Sequence, residues 1–345
     1  MVYSSEGSYA VMGFYVISGY VITLALTSHY FKYDGGFGHF WLNRFLRLYP
    51  TYAFCALLGF VVIAAFPEIA ENVNFRMLRP ESSAGAEALA DRGISPALWP
   101  LFYIQQVVLI SQVTPFEFRS PIQFAPTAWS VNMELYYYLV LSLGVTASFA
   151  NARKFLKIAI TFIVIYLAML ALHEFKLVRL DWGRPFLSTT PHTVFYRTFL
   201  GITVFFALGA YTFHLRKLRV EPIQRLVITA LILLIPWIGI PGYFGRTFGY
   251  LAFGIGITFV IRMWSDNQPQ GWLRFLGDMS YPLFLVHWPI AVAVTAITGL
   301  EKNSAAFLLV AGTVSVIAAA ILVVTLENPI AKLRQRVRAK NPKAR

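Results

Sequence analysis

Four short segments carry side chains able to do chemistry in a chain otherwise dominated by apolar residues. The first is PTAWSVNMELYYYLV, residues 126–140. On a helix, Ser130, Glu134 and Tyr137 recur at i, i+4 and i+7 and fall on one face, with Trp129 beside them and Thr127 placed as an N-cap after Pro126. A carboxylate within an apolar helix must be paired, protonated or wetted. It reads as part of a pathway or site within the membrane, or as a structural pair with an arginine such as Arg197. The second is FWLNRFLRLYP, residues 40–50. Arg44 and Arg47 are three apart and share a helical face. Guanidinium groups grip phosphates bidentately and stay charged, so the pair reads as an anion clamp or as basic anchoring at a membrane surface. The third is FLGDMSYPLFLVHWPI, residues 275–290. Ser280, Phe284 and His287 share a face, with Tyr281 and Trp288 adjacent, and Pro282 is placed in the first turn of the helix. His287 can donate, accept or take up a proton near neutral pH, or sit satisfied in a core. The fourth is GFYVISGYVIT, residues 13–23, where Ser18 is a hydrogen-bond donor and Gly19 permits close helix packing.

These segments lie in or beside apolar runs. The chain of 345 residues is 57% apolar, 16% aromatic and only 13% charged, with a mean hydropathy of +0.61. Soluble domains carry about 25% charged residues, so the composition excludes a soluble enzyme, a disordered chain and a nucleic-acid-binding domain. A helix needs about 20 mostly apolar residues to cross the hydrocarbon core. Nine runs qualify: 8–27, 48–66, 127–148, 156–173, 194–214, 224–240, 244–264, 281–299 and 304–325. The shorter run 98–112 reads as interfacial or re-entrant, and 67–126 as a large irregular loop. The expectation is an all-α polytopic membrane protein with about nine transmembrane helices in one domain, residues 1–335, followed by a basic tail, 336–345. One cysteine, Cys55, excludes an internal disulfide and a cysteine-based metal site; no metal is expected. No cleavable signal pattern precedes the first run.

The formal charge of +13 sits between the apolar runs and in the tail. Cytoplasmic loops are enriched in Lys and Arg. With the tail in the cytoplasm, the segments 28–47, 149–157, 214–225 and 262–274 also fall inside, and they hold nineteen of the 29 basic residues together with the tail. Nine spans then place residue 1 outside.

Taken in order, these segments resemble the acyltransferase 3 family of integral membrane acyltransferases. FYVISGYVIT stands where that family reads close to FFVLSGFLIT, and RFLRLYP where it has an R-x-x-R-I-Y-P-like run. WSVNMELYYY is similar to its W-S-L-S-V-E-E-Q-F-Y-like motif, with Glu134 under the first family glutamate. SYPLFLVHWP matches an S-Y-S-L-Y-L-W-H-W-P-like motif, and LENPIAKLR, with Glu327, its closing glutamate-proline motif. The resemblance runs from about residue 10 to residue 335. It implies ten helices, the first bearing an arginine and a catalytic histidine. The chain starts just before the SGF-like helix, and Met12 stands at the position of a family aspartate. Neither residue of that first helix carries over, and the expectation is a chain truncated by one helix.

The resemblance implies transfer of an acyl group, often acetyl, from cytoplasmic acyl-CoA as donor substrate to a hydroxyl of a cell-envelope carbohydrate such as lipopolysaccharide or a lipid-linked sugar. No cofactor is expected to stay bound, and no nucleic acid partner. The setting is the bilayer of a bacterial inner membrane, with the C-terminus cytoplasmic. Glu134, His287 and Ser130 are the catalytic candidates; Arg44 and Arg47 would hold the coenzyme; Ser18, Gly19, Trp129, Tyr281 and Trp288 would line the substrate cavity. A serine acyl-enzyme is disfavoured because no base stands beside Ser18 in the sequence. The alternatives are a proton-coupled transporter or flippase and an inactive relative that binds acyl-CoA.

Overall fold

The computed structural model describes residues 6–32, 35–71, 82–90, 124–175, 198–238, 241–265, 270–302 and 304–339, with positions 95, 97, 100, 101, 104 and 195. The side chains of 336–339 lie outside the description, as do Arg197 and nearly all of the 98–112 run.

The described residues are overwhelmingly helical and contain no strand. The principal helices are α1 (Glu6–Ser28), α2 (Gly36–Ala65), α3 (Trp129–Val140), α4 (Phe149–Glu174), α5 (Phe199–Phe213), α6 (Pro222–Leu234), α7 (Gly242–Trp264), α8 (Gly271–Thr298), α9 (Ala305–Leu322) and α10 (Asn328–Ala339). Each of the nine apolar runs overlaps helix among the described residues. Among the described residues, six stretches are long and apolar enough to cross a bilayer: Gly7–Lys32, Gly36–Ala65, Phe149–Glu174, Gly242–Trp264, Gly271–Thr298 and Ala305–Gln335. Gly201–Phe213 and Pro222–Ile238 are shorter apolar helices.

Three boundaries differ from the sequence reading, each for a local reason. Helix α2 starts at Gly36, just after Gly35 in a left-handed conformation (φ 80°), so it extends past the 48–66 run and carries Arg44 and Arg47 well inside it. The run 127–148 is a 3-10 turn, Pro126–Ala128, then α3, then a π-turn, Leu141–Val145. Gly144 at φ 82° ends it, because that backbone conformation favours glycine and cannot continue a helix. Thr127 lies within the 3-10 turn, and its hydroxyl has no hydrogen-bond partner among the described residues, so it does not cap the helix there. Helix α8 begins at Gly271, which places Pro282 in its interior instead of a first turn, with Pro289 a second interior proline. Apolar helices packed among neighbours tolerate interior proline better than isolated soluble ones. Described residues of the stretch 67–126 include the short helices Pro67–Ala70 and Ser83–Ala90.

The chain forms two compact units. The first comprises Met1–Asp34, Thr114–Phe118 and Met133–Gln268; the second Gly35–Val113, Arg119–Asn132 and Pro269–Arg345. In the first, α1 packs along α5, α4 lies against α5, and α7 touches both α1 and α5. The α1–α5 contact is glycine-mediated from both sides. A Cβ on Gly19 would collide with the backbone carbonyl of Phe206, and one on Gly209 with that of Val16. Small residues are what allow apolar helices to approach this closely. Tyr137 stacks on Phe206 at 3.9 Å between ring centroids.

In the second unit α2 packs on α8, α8 on α9, and α10 on α2. Val62, Ile63, Ala70, Phe124 and Val292 form one buried cluster, flanked by Trp288. Met279, Ala319 and Val323 form another.

Candidate active site

Ser18 lies midway along α1, and Glu134 one turn before Tyr138 on α3. The four-residue step puts Glu134 and Tyr138 on one helical face. The Tyr138 phenol donates to Glu134 Oε1 at 2.5 Å, and the Ser18 hydroxyl donates to the same oxygen at 3.1 Å. All three are buried, Glu134 at 5% exposure. Hydrogen bonds to an ionised acceptor are shorter and stronger than neutral ones, and two donors on one oxygen fix the carboxylate in a single orientation. Such a group can take the proton of a hydroxyl that reaches it.

This pairing revises two expectations. Ser18 does have a potential base beside it, namely Glu134, which the sequence hides behind 116 intervening positions. Tyr137 does not join Glu134: its hydroxyl bonds Thr203 Oγ1 at 2.6 Å. The residue that does join is Tyr138, and its i+4 spacing from Glu134 is the sequence signal for it. Lower in the same unit, Thr23 and Thr146 share a buried hydroxyl bond of 3.2 Å, and His214 Nε2 donates to the Thr146 carbonyl at 2.9 Å.

The other sequence candidates fall in the second unit. The Ser130 hydroxyl donates to the Thr127 carbonyl at 3.2 Å, closing a local turn. Trp129 is buried. His287 is half-buried, and its Nδ1–H donates to the Leu283 carbonyl at 3.2 Å. Ser280 is exposed and bonds the Gly277 carbonyl. The Tyr281 hydroxyl donates to the Leu48 carbonyl at 2.8 Å, tying α8 to α2. The Lys302 ammonium stands 4.6 Å from the Trp288 ring centroid. Its burial lowers the pKa below the usual lysine value, because desolvation penalises the charged form. Ser130 and His287 thus belong to a different unit from Glu134.

Arg44 and Arg47 occupy different environments. Arg44 is 4% exposed, with its guanidinium 5.2 Å from the Phe40 ring centroid; Arg47 is exposed. Beside Arg47 lies a polar seam that sequence reasoning assigned no chemistry. The Thr51 hydroxyl donates to Glu327 Oε1, and the Arg334 Nε–H donates to Asn43 Oδ1 at 3.0 Å.

An all-α chain with six stretches of membrane-crossing length among its described residues, and a buried carboxylate–hydroxyl cluster, is a multi-pass membrane protein. The acyltransferase domain model of the acyltransferase 3 family matches residues 5–325, and the chain belongs to that family. It is similar to the O-acetyltransferase OatA of Staphylococcus aureus strains NCTC 8325, COL and MRSA252, at 24% identity over 310 residues. That alignment covers 85% of this chain and 47% of each relative, so the chain spans about half the length of the curated relatives it matches. No solved structure matches.

Proposed function

We propose that this chain moves an acyl group, acetyl first of all, from acyl-CoA to a hydroxyl of a cell-envelope carbohydrate, within the inner membrane of a bacterium and with its C-terminus in the cytoplasm. The observation that carries this reading is the buried Glu134 carboxylate held by the Ser18 and Tyr138 hydroxyls, in a chain of a membrane acyltransferase family. Glu134 takes the proton of the acceptor hydroxyl as that oxygen attacks the thioester carbonyl. A new C–O bond forms, the C–S bond breaks, and the departing thiolate recovers a proton to leave free coenzyme A. Ser18 and Tyr138 orient the base. The basic residues of α2 supply charge for the coenzyme's phosphates.

The test is transfer by the full chain in vesicles, with radiolabelled acetyl-CoA and an envelope oligosaccharide. Label recovered in an alkali-labile ester on the sugar is the expected result. Sugar or thioester crossing the vesicle without ester formation would point to a carrier instead.

A further inference from the structure

The ends of α5 and α7 enclose a small pocket, entirely within the first unit, that acyl transfer leaves unused. Tyr20 of α1, Phe213, Leu215, Lys217, Ile261 and Arg262 line it. Two contacts shape it. The Arg262 carbonyl accepts from the Leu218 N–H at 3.1 Å, and the Arg262 Nε–H donates to the Arg216 carbonyl at 2.9 Å. The end of α7 and the segment after α5 are thereby clasped together, and the guanidinium is held by one of its five donors. Its Nη–H groups have no hydrogen-bond partner among the described residues, and neither does the Tyr20 hydroxyl. Among the described residues, no carboxylate lines the pocket.

Depth and surroundings point to a lipid. Helix α7 has 23 residues and is about 35 Å long, against a hydrocarbon core of about 30 Å, so its last turn reaches the level of the headgroups. Ile255, Phe259 and Arg262 recur at i, i+4 and i+7 and share a face of α7. Ile255 and Phe259 are exposed on this membrane-crossing helix, so the face runs from lipid-contacting side chains to a guanidinium. Acyl chains beside the first two and a phosphate at the third describe one phospholipid. Guanidinium groups grip phosphates. Arg216, Lys217 and Arg219 are exposed on the adjoining segment, and positive charge there draws anionic headgroups. A phosphatidylcholine headgroup brings its own cation into that field, and a phosphatidylglycerol headgroup does not. A snorkelling arginine keeps its head in water, whereas Arg262 is half-buried and pinned at Nε.

We infer that this pocket binds the phosphate of one anionic phospholipid, gripped by the Nη–H groups of Arg262 and the Tyr20 hydroxyl, with its acyl chains along Ile255 and Phe259. Tyr20 lies two residues after Ser18 on α1, so the lipid ties the helix that carries Ser18 to α7. The inference concerns binding alone and stands or falls apart from acyl transfer.

The test is native mass spectrometry of the full chain in detergent, titrated with dioleoylphosphatidylglycerol or dioleoylphosphatidylcholine, which share their acyl chains. Wild type should bind its first phosphatidylglycerol about tenfold or more tightly than phosphatidylcholine. R262Q drops the charge but keeps an N–H for the Arg216 carbonyl, and it should lose most of that preference. Y20F leaves the clasp intact and should lose part of it. R219Q, on the same segment but outside the pocket, should keep it. The lipid-free Tm reports that each variant folds; should R262Q not fold, Y20F decides. Equal affinity for the two lipids in wild type, or a wild-type preference in R262Q or Y20F, overturns the site. An equal loss in R219Q also overturns it, because diffuse charge then explains the binding. Binding of glycerol 3-phosphate that R262Q abolishes, and that excludes phosphatidylglycerol, would make the ligand a free phosphate and overturn the lipid.

Discussion

The Ser18 hydroxyl donates to Glu134 Oε1 at 3.1 Å, although 116 positions separate the two residues. Tyr138 gives the same oxygen a second donor at 2.5 Å. If Ser18 only orients Glu134, S18A removes one hydrogen bond to a charged group, worth about 1.5–3 kcal/mol, or about 10–100-fold in kcat. Turnover should fall by that factor and remain measurable, and Y138F should behave alike. Incubation with labelled acetyl-CoA and no acceptor should leave no label on the protein. A trapped ester on Ser18 would instead make it a nucleophile with Glu134 as its base.

Gly19 is a position where any side chain meets backbone. A Cβ there collides with the Phe206 carbonyl, and backbone cannot step aside as a flexible side chain can. G19A forces α1 away from α5 and should destabilise the protein by about 1–3 kcal/mol. Thermal unfolding in detergent reads this as a lowered Tm. An unchanged Tm would mean the two helices are not held at glycine distance.

Much of this was legible in the sequence. Hydropathy located the helices because a bilayer demands long apolar runs, and Gly19 was recognisable as a packing position for the same reason. Glu134 stood out because a carboxylate in such a run needs partners. Its partner Tyr138 follows from helical periodicity, but Ser18 does not. Pairing between distant helices depends on their order and rotation, which no period along one helix encodes. The same limit hid Thr51–Glu327 and Asn43–Arg334, and it made Arg44 and Arg47 look equivalent when one is buried and the other exposed. Pro282 misled because proline commonly opens a helix, whereas here it lies within one.

That difference between the arginines separates their mutants. R44A strips a buried guanidinium from the Phe40 ring and should lower stability by about 1–2 kcal/mol, whatever it does to the donor. R47A removes an exposed charge and should leave Tm unchanged while raising the KM for acetyl-CoA. Equal losses of stability in both variants would contradict the assigned environments.

Lys302 lies between α8 and α9 against Trp288, and burial depresses its pKa from 10.5. A depressed lysine binds fewer protons in the folded than in the unfolded state between its folded pKa and 10.5. Stability therefore rises with pH across that window. The wild-type Tm should rise relative to that of K302M as pH climbs from neutrality toward 10.5. Parallel Tm curves would show that Lys302 is not desolvated.

The most direct test is E134Q, assayed for acetyl transfer from labelled acetyl-CoA beside wild type, in vesicles containing equal amounts of inserted protein. Glutamine keeps the size of the side chain and can still accept from Ser18 and Tyr138, yet it cannot take a proton. The variant should insert normally and form no sugar ester. Ester formation at the wild-type rate would show that Glu134 is a structural residue and that the proton goes elsewhere.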